Sequence, residues 1–95
     1  IQPNIKNMND LNVLMKALTR IKYKDLEGLK YTIENNKSVL NDTPLILDSL
    51  NIVNLIVSIE ELLQKEIPSS LLDINYFNTI GGVLNLIRKV VNNNE

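Results

Sequence analysis

Apolar residues recur at helical spacing from Asn9 onward. They are Leu11, Leu14, Leu18 and Ile21. A period of three to four residues predicts an amphipathic helix. A second apolar series, offset by one position from the first, consists of Leu26, Leu29 and Ile33. We therefore expect the chain to bend or break at residues 23–25 and to form an extra helical segment within residues 24–36.

The longest helical pattern covers residues 49–65 and stops before Pro68, which cannot continue a helix and restricts the residue before it. The residues expected to face the core are Ile52, Leu55, Ile56, Ile59, Leu62 and Leu63. Leu50 and Val57 fall on the opposite side of this helix, among polar residues. Single apolar residues are common on protein surfaces, but a pair near a helix start is also typical of a docking surface.

The rest of the chain predicts one loop, one short element and one further helix. Residues 35–47 are rich in Asn, Asp, Thr and Pro, which favour turns, so we expect a long loop there. The apolar cluster at residues 71–77 predicts a helix of one or two turns or an irregular segment. Thr79 is expected to cap a final helix. The residues expected on the buried face of that helix are Ile80, Val83, Leu84, Ile87 and Val91.

Gly81 and Gly82 lie in the first turn of the final helix. Each glycine there costs up to about 1 kcal/mol relative to alanine. Two explanations are open at this point: close approach of a neighbouring backbone, and space left for a bound chain.

No stretch alternates with a period of two residues, so no sheet is expected. A chain of 95 residues suits a single domain. We predict an all-α fold over residues 1–95, a small antiparallel four-helix bundle. It would contain three main helices, one short helix and a long loop before the second main helix. We expect residues 1–8 and 92–95 to be flexible.

Composition restricts the chemistry open to this chain. It contains no cysteine and no histidine, the residues that supply disulfides, thiolate ligands and the usual general base. Apolar residues make up 44% and charged residues 22%, the balance of a soluble globular domain. The longest apolar run, residues 52–59, is far shorter than the roughly 20 residues of a membrane span. We expect a cytoplasmic monomer with no metal, no membrane span and no enzymatic activity.

The net charge is only −1, and the basic residues lie mainly in the first third of the chain. They are Lys16, Arg20, Lys22, Lys24 and Lys30. Acidic residues are interspersed with them, and few aromatic residues are present to stack on bases. The pattern favours a solvated helix face, and no nucleic-acid partner is expected.

The tripeptide Asp48-Ser49-Leu50 stands where the predicted long loop meets the longest helix. Serine is a preferred N-cap, so the tripeptide alone predicts only that Ser49 caps this helix. The unpaired N–H groups and the positive dipole end at a helix start also favour a bound phosphate. The position therefore suits a phosphodiester as well as a cap.

Three further motifs follow the tripeptide along the chain. They are Glu60-Glu61, Glu66-Ile67-Pro68 and Phe77-Asn78-Thr79-Ile80. Together with the tripeptide and the helix that follows it, this set resembles the acyl and peptidyl carrier protein family over residues 43–91, about half of the chain. Residues 45–50, and the long stretch between Pro68 and Thr79, are more similar to freestanding aminoacyl carriers, such as D-alanyl carrier proteins, than to fatty-acid carriers.

The resemblance implies that Ser49 carries a covalent 4'-phosphopantetheine arm, attached by a separate phosphopantetheinyl transferase. The thiol of the arm holds acyl or aminoacyl groups as thioesters. The implied partners are loading ligases, synthases and transferases of fatty-acid, polyketide, nonribosomal peptide or related biosynthesis. The residues to which the resemblance assigns partner recognition are Asp48, Leu50, Val53, Val57, Glu60 and Glu61.

The chain also departs from the family. Asn51 and Asn54 stand where fatty-acid carriers have acidic residues, and Ile46 or Leu47 replaces a usual glycine. We therefore expect weaker electrostatic steering of partners and more apolar docking. The alternative function is a carrier-like helical protein-interaction module without the prosthetic group. A small enzyme ranks last, because the carboxylates, lysines and tyrosines form no recognisable catalytic arrangement.

Overall fold

The computed structural model describes residues 10–35 and 37–92. Its four α-helices are α1 (Asp10–Arg20), α2 (Leu26–Asn35), α3 (Ser49–Leu63) and α4 (Ile80–Asn92). Its 3₁₀ helices are Lys37–Asp42, Ser69–Leu71 and Ile74–Phe77. Within these described ranges there is no strand beyond one isolated bridge between Pro44 and Thr79. The predicted all-α small bundle, with its extra helical segment at α2, is confirmed.

The core lies where α1 packs against both α3 and α4. The side chains that are almost completely buried are Leu14, Leu18, Leu29, Leu55, Ile59, Ile80, Val83, Leu86, Ile87 and Val90. Burying one such side chain contributes about 1.5–3 kcal/mol relative to leaving it in water. Most of these residues are leucine or isoleucine at helical spacing, so the apolar periodicity of the sequence and the packing of the bundle agree.

α1 ends in a turn of defined geometry at residues 21–23. The N–H of Tyr23 donates to the carbonyl of Leu18 at 3.0 Å, and that of Lys22 donates to Thr19 at 3.1 Å. Lys22 is left-handed, with φ of 57°. These bonds form a Schellman motif, which satisfies the last carbonyls of a helix. The break expected at residues 23–25 is therefore confirmed, and α2 begins directly after it.

The long loop predicted at residues 35–47 contains a short helix that the sequence pattern did not predict. The 3₁₀ helix Lys37–Asp42 occupies its first half, and Leu40 is buried in the core at 5% exposure. The turn-forming Asn41 and Asp42 close this short helix instead of extending the chain. Thr43 stabilises its end by donating its hydroxyl to the carbonyl of Val39 at 3.0 Å. Only residues 43–48 remain as an irregular connection.

α3 presents its predicted face to the core. Leu55 and Ile59 are fully buried. The other predicted core residues are partly buried and pack against the core: Ile52, Ile56, Leu62 and Leu63. The helix ends at Leu63, two positions before the expected end at residue 65, because Gln64 turns left-handed with φ of 56°.

α4 begins as predicted, since the Thr79 hydroxyl accepts a hydrogen bond from the Gly82 N–H at 3.1 Å. The prediction that Val91 lies on the buried face is wrong, because Val91 is 43% exposed and its neighbour Val90 is buried. α4 packs against α1 and against two of the 3₁₀ helices, so its buried face is wider than the predicted stripe. Asn92, expected in a flexible tail, is its last residue. Residues 1–8 and 93–95 lie outside the described residues.

Gly81 and Gly82 allow two neighbouring backbones to approach α4. A Cβ atom added at Gly81 would lie 2.7 Å from the carbonyl oxygen of Asn41. A Cβ atom at Gly82 would meet the carbonyl oxygen of Tyr76 even more closely. Of the two explanations that the sequence left open, close backbone packing is the one the structure supports. Because neither glycine has a side chain, the 3₁₀ helices Lys37–Asp42 and Ile74–Phe77 can lie directly against the start of α4.

We predict that Gly82→Ala lowers the free energy of unfolding by about 1–3 kcal/mol, the usual range for overpacking a tight site. Gly28→Ala is the matched control, because its new Cβ would meet only the flexible carboxylate of Asp25. Alanine is the better helix former by up to about 1 kcal/mol, so the control should be neutral or stabilising. Urea unfolding measures both. Equal effects of the two substitutions would contradict the close-packing explanation.

Candidate functional site

Asp48, and not Ser49, is the N-cap of α3. Its carboxylate accepts a hydrogen bond from the Asn51 N–H at 2.8 Å, and the Asn51 side-chain oxygen accepts one from the Asp48 N–H at 3.3 Å. This reciprocal pair is a capping box. The prediction that Ser49 caps the helix is therefore wrong. Asn51 therefore has a structural role at the start of this helix.

Ser49 is the first residue of α3 and is exposed. Because Asp48 supplies the cap, the helix does not depend on the Ser49 hydroxyl for its start. The first turn of a helix also carries N–H groups without helical partners and a partial positive charge, which favour an anion nearby. An exposed hydroxyl is thus presented where a phosphoryl ester is electrostatically favoured.

The connection that leads into Ser49 is anchored at three points. The N–H of Leu45 donates to the carbonyl of Asn78 at 2.9 Å, and the N–H of Ile80 donates to Thr43 at 2.9 Å. The N–H of Ile46 donates to the hydroxyl of Tyr23 at 3.0 Å. These bonds tie residues 43–46 to the start of α4 and to the turn after α1. The position of Ser49 is consequently set by the fold and not by a free loop.

Four exposed apolar side chains lie on and immediately before the first half of α3. We call them the outer patch: Ile46, Leu50, Val53 and Val57, with exposed fractions of 80%, 67%, 55% and 45%. The last three are spaced by three and four residues, which places them along one side of the helix. Scattered apolar residues on a surface are ordinary, but three along one side of a helix that begins with an exposed serine are typical of an interaction site.

The two glutamates assigned to partner recognition already have partners within the chain. The Glu61 carboxylate accepts a hydrogen bond from the Arg20 guanidinium at 2.9 Å, at an exposed position. The Glu60 carboxylate accepts one from the N–H of Ile67 at 2.9 Å and is partly buried. Glu60 therefore fixes the chain after α3, where Ile67 enters the core. Glu61 is the more accessible of the pair.

Sequence reasoning missed two contributors to this site. Tyr23 is 8% exposed and holds the segment before Ser49 through the bond to Ile46. Lys22 and Lys24, interpreted from the sequence as part of a solvated helix face, lie instead in the turn after α1 and line a cavity with Asp48 and Asn51. No local motif marks either contribution, because both depend on contacts across more than twenty residues of chain.

In the residues described, no three carboxylate, histidine or cysteine side chains come together as a metal site. In the same residues, no helix is long and apolar enough to cross a membrane. No family model, no curated protein sequence and no solved structure matches this chain.

Proposed function

We propose that this protein is a carrier that holds acyl or aminoacyl groups as thioesters on a 4'-phosphopantetheine arm attached to Ser49. The observation that carries the proposal is an exposed serine at the first position of α3, beside the outer patch and capped by its neighbour Asp48. The ordered motifs that resemble the carrier family support the same function. The proposed localisation is the cytoplasm, and the proposed form is a monomer.

In the proposed attachment reaction the carrier supplies the accessible Ser49 hydroxyl, on a surface that the transferase recognises. A phosphopantetheinyl transferase would supply the base and bind coenzyme A, the donor of the arm. The Ser49 oxygen would lose its proton and form a bond to phosphorus, while the nucleotide half of coenzyme A leaves with the electrons of the broken P–O bond. The product is a phosphodiester at the start of α3, a position that favours negative charge.

In the proposed function the chain makes no bonds in the cargo. A flexible arm keeps one thioester at high effective concentration near each partner enzyme that the protein docks on. Partner choice would depend on the outer patch, because exposed apolar side chains grouped on one surface are typical of a protein interaction site. With Glu60 bonded to Ile67 and Glu61 paired with Arg20, charge would contribute less to docking than in strongly acidic carriers.

A second function uses the same surface without an arm. The outer patch is exposed in the protein without an arm, so a helical protein-interaction module is the alternative proposal. In that case partner binding is insensitive to the loss of the Ser49 hydroxyl. In the carrier function, delivery of cargo depends on it entirely.

Incubation of the unmodified protein with coenzyme A, Mg²⁺ and a broad-specificity phosphopantetheinyl transferase tests the proposal. We expect the intact mass to rise by one arm and peptide fragmentation to locate the addition on Ser49. A carrier protein of known activity in the same tube confirms that the transferase works. If that control is modified and this protein keeps its original mass, the carrier function is wrong and the interaction module is favoured.

A further inference from the structure

A cavity of about 340 Å³ lies between the turn after α1 and the start of α3. It is lined by Lys22, Tyr23, Lys24, Ile46, Asp48 and Asn51. Asp48 directly precedes Ser49 and Asn51 follows two positions later, so the cavity lies at the start of α3, although Ser49 is not one of its lining residues. Its volume is near the lower end of the roughly 300–1,000 Å³ typical of small-molecule sites. A cavity of this volume accommodates a phosphodiester group.

The charges around this cavity favour an anion. Lys22 and Lys24 are both exposed, and neither is in a salt bridge with a carboxylate of the described chain. The one carboxylate in the lining, Asp48, is occupied by the Asn51 N–H. The lining residues therefore include two lysines and one carboxylate, which gives them a net positive charge. An anion entering here gains two cationic partners without breaking an existing ion pair.

The two lysines are carried by a backbone that is already fixed. The Schellman bonds of residues 18–23 hold the turn, and the hydroxyl of the buried Tyr23 accepts a hydrogen bond from the N–H of Ile46, another lining residue. The turn that carries Lys22 and Lys24 is thus bonded to the segment that leads into Ser49. Because this backbone is already fixed, a ligand that enters the cavity would bind at lower entropic cost than at a mobile site.

We infer that this cavity holds the phosphodiester at the base of the arm, with Lys22 and Lys24 as its cationic partners. The inference rests on the proposed function. The phosphodiester carries one negative charge, which matches the net charge of the lining. Only the phosphodiester and the adjoining part of the arm enter the cavity. The thiol end remains outside, free to reach partner enzymes.

The test compares the arm-bearing protein with a double variant, Lys22→Gln with Lys24→Gln. Lys16→Gln with Lys30→Gln is the charge-matched control, since neither of its residues lines the cavity. Mass spectrometry first establishes that each protein carries the arm, and circular dichroism that each is folded. Phosphorus NMR then follows the phosphodiester between about 0.01 M and 1 M NaCl, a range over which the screening length falls about tenfold. Nitrogen-15 spectra compare the amides before and after attachment.

We expect attachment to shift the amide signals of residues 22–24 in the wild type and the control. We also expect the phosphorus signal of both proteins to move with salt. In the double variant Lys22→Gln with Lys24→Gln, the phosphorus signal should stay at one position at every salt concentration. That position should be the one that the wild type reaches at the highest salt. Lys24→Gln alone, which leaves the left-handed Lys22 unchanged, should lose part of the salt response.

Two negative results have different meanings. An arm that is attached, with no amide shifts at residues 22–24 and the same salt response in every protein, overturns the cavity inference and leaves the carrier function standing. A wild-type protein that accepts no arm overturns the carrier function, and the inference with it.

Discussion

Ser49→Ala is expected to abolish attachment of the arm completely while changing the free energy of unfolding by less than about 0.5 kcal/mol, as for an ordinary surface substitution. The chemical effect is total because the hydroxyl oxygen is the proposed attacking atom. The structural effect is small because Asp48, and not Ser49, caps α3. Alanine is also the best helix former, so it is well tolerated at position 49 within the helix. Intact mass after transferase treatment and urea unfolding measure the two effects.

Ser70→Ala is the matched control, since Ser70 is also exposed and lies in the 3₁₀ helix Ser69–Leu71. This variant should accept the arm as the wild type does. Asp48→Ala is the contrasting variant, because loss of an N-cap costs about 1 kcal/mol. If Ser49→Ala still gained one arm, another residue would be the attachment site. If it unfolded the protein, the assignment of the cap to Asp48 would be wrong.

Leu55→Ala is expected to lower the free energy of unfolding by about 2–5 kcal/mol, through lost burial and the cavity left behind. Leu55 is fully buried on α3, which packs against α1. Small domains are commonly stable by only about 5–15 kcal/mol, so this loss is a large fraction of the total. Urea unfolding followed by circular dichroism measures it.

Val53→Ala is the control for that substitution. Val53 is 55% exposed on the same helix, two residues earlier, so truncation there should change stability by less than about 0.5 kcal/mol. The pair separates the inner face of α3 from the outer patch. A Leu55→Ala variant as stable as Val53→Ala would mean that α3 does not pack as described.

The helices could be predicted from the sequence because their apolar residues repeat at the helical period. The limits of that method appear at Val90 and Val91. These neighbours are about 100° apart on a helix, and periodicity alone favoured Val91. The structure buries Val90 together with Leu86 and Ile87, so the buried face of α4 lies partly to one side of the predicted stripe. The 3₁₀ helix Lys37–Asp42 was missed for a related reason, since its turn-forming residues also occur in irregular loops.

At the site, the sequence predicted an exposed serine at the start of the longest helix, but not its surroundings. The bond between Tyr23 and Ile46 joins residues 23 positions apart, and no local pattern encodes it. The role of Glu60 was likewise hidden, because the sequence does not reveal that its carboxylate accepts the N–H of Ile67. The cap was misassigned because aspartate and serine are nearly equal as N-caps, and only the backbone geometry separates them.

The most direct measurement is the intact mass of the protein isolated from its own cells, followed by fragmentation of the peptide that contains residue 49. The carrier function predicts that a substantial fraction bears one arm on Ser49, and that any additional mass on the thiol is lost under mild thioester cleavage. Protein recovered entirely at the mass of its unmodified chain, or with the arm on another residue, would contradict it.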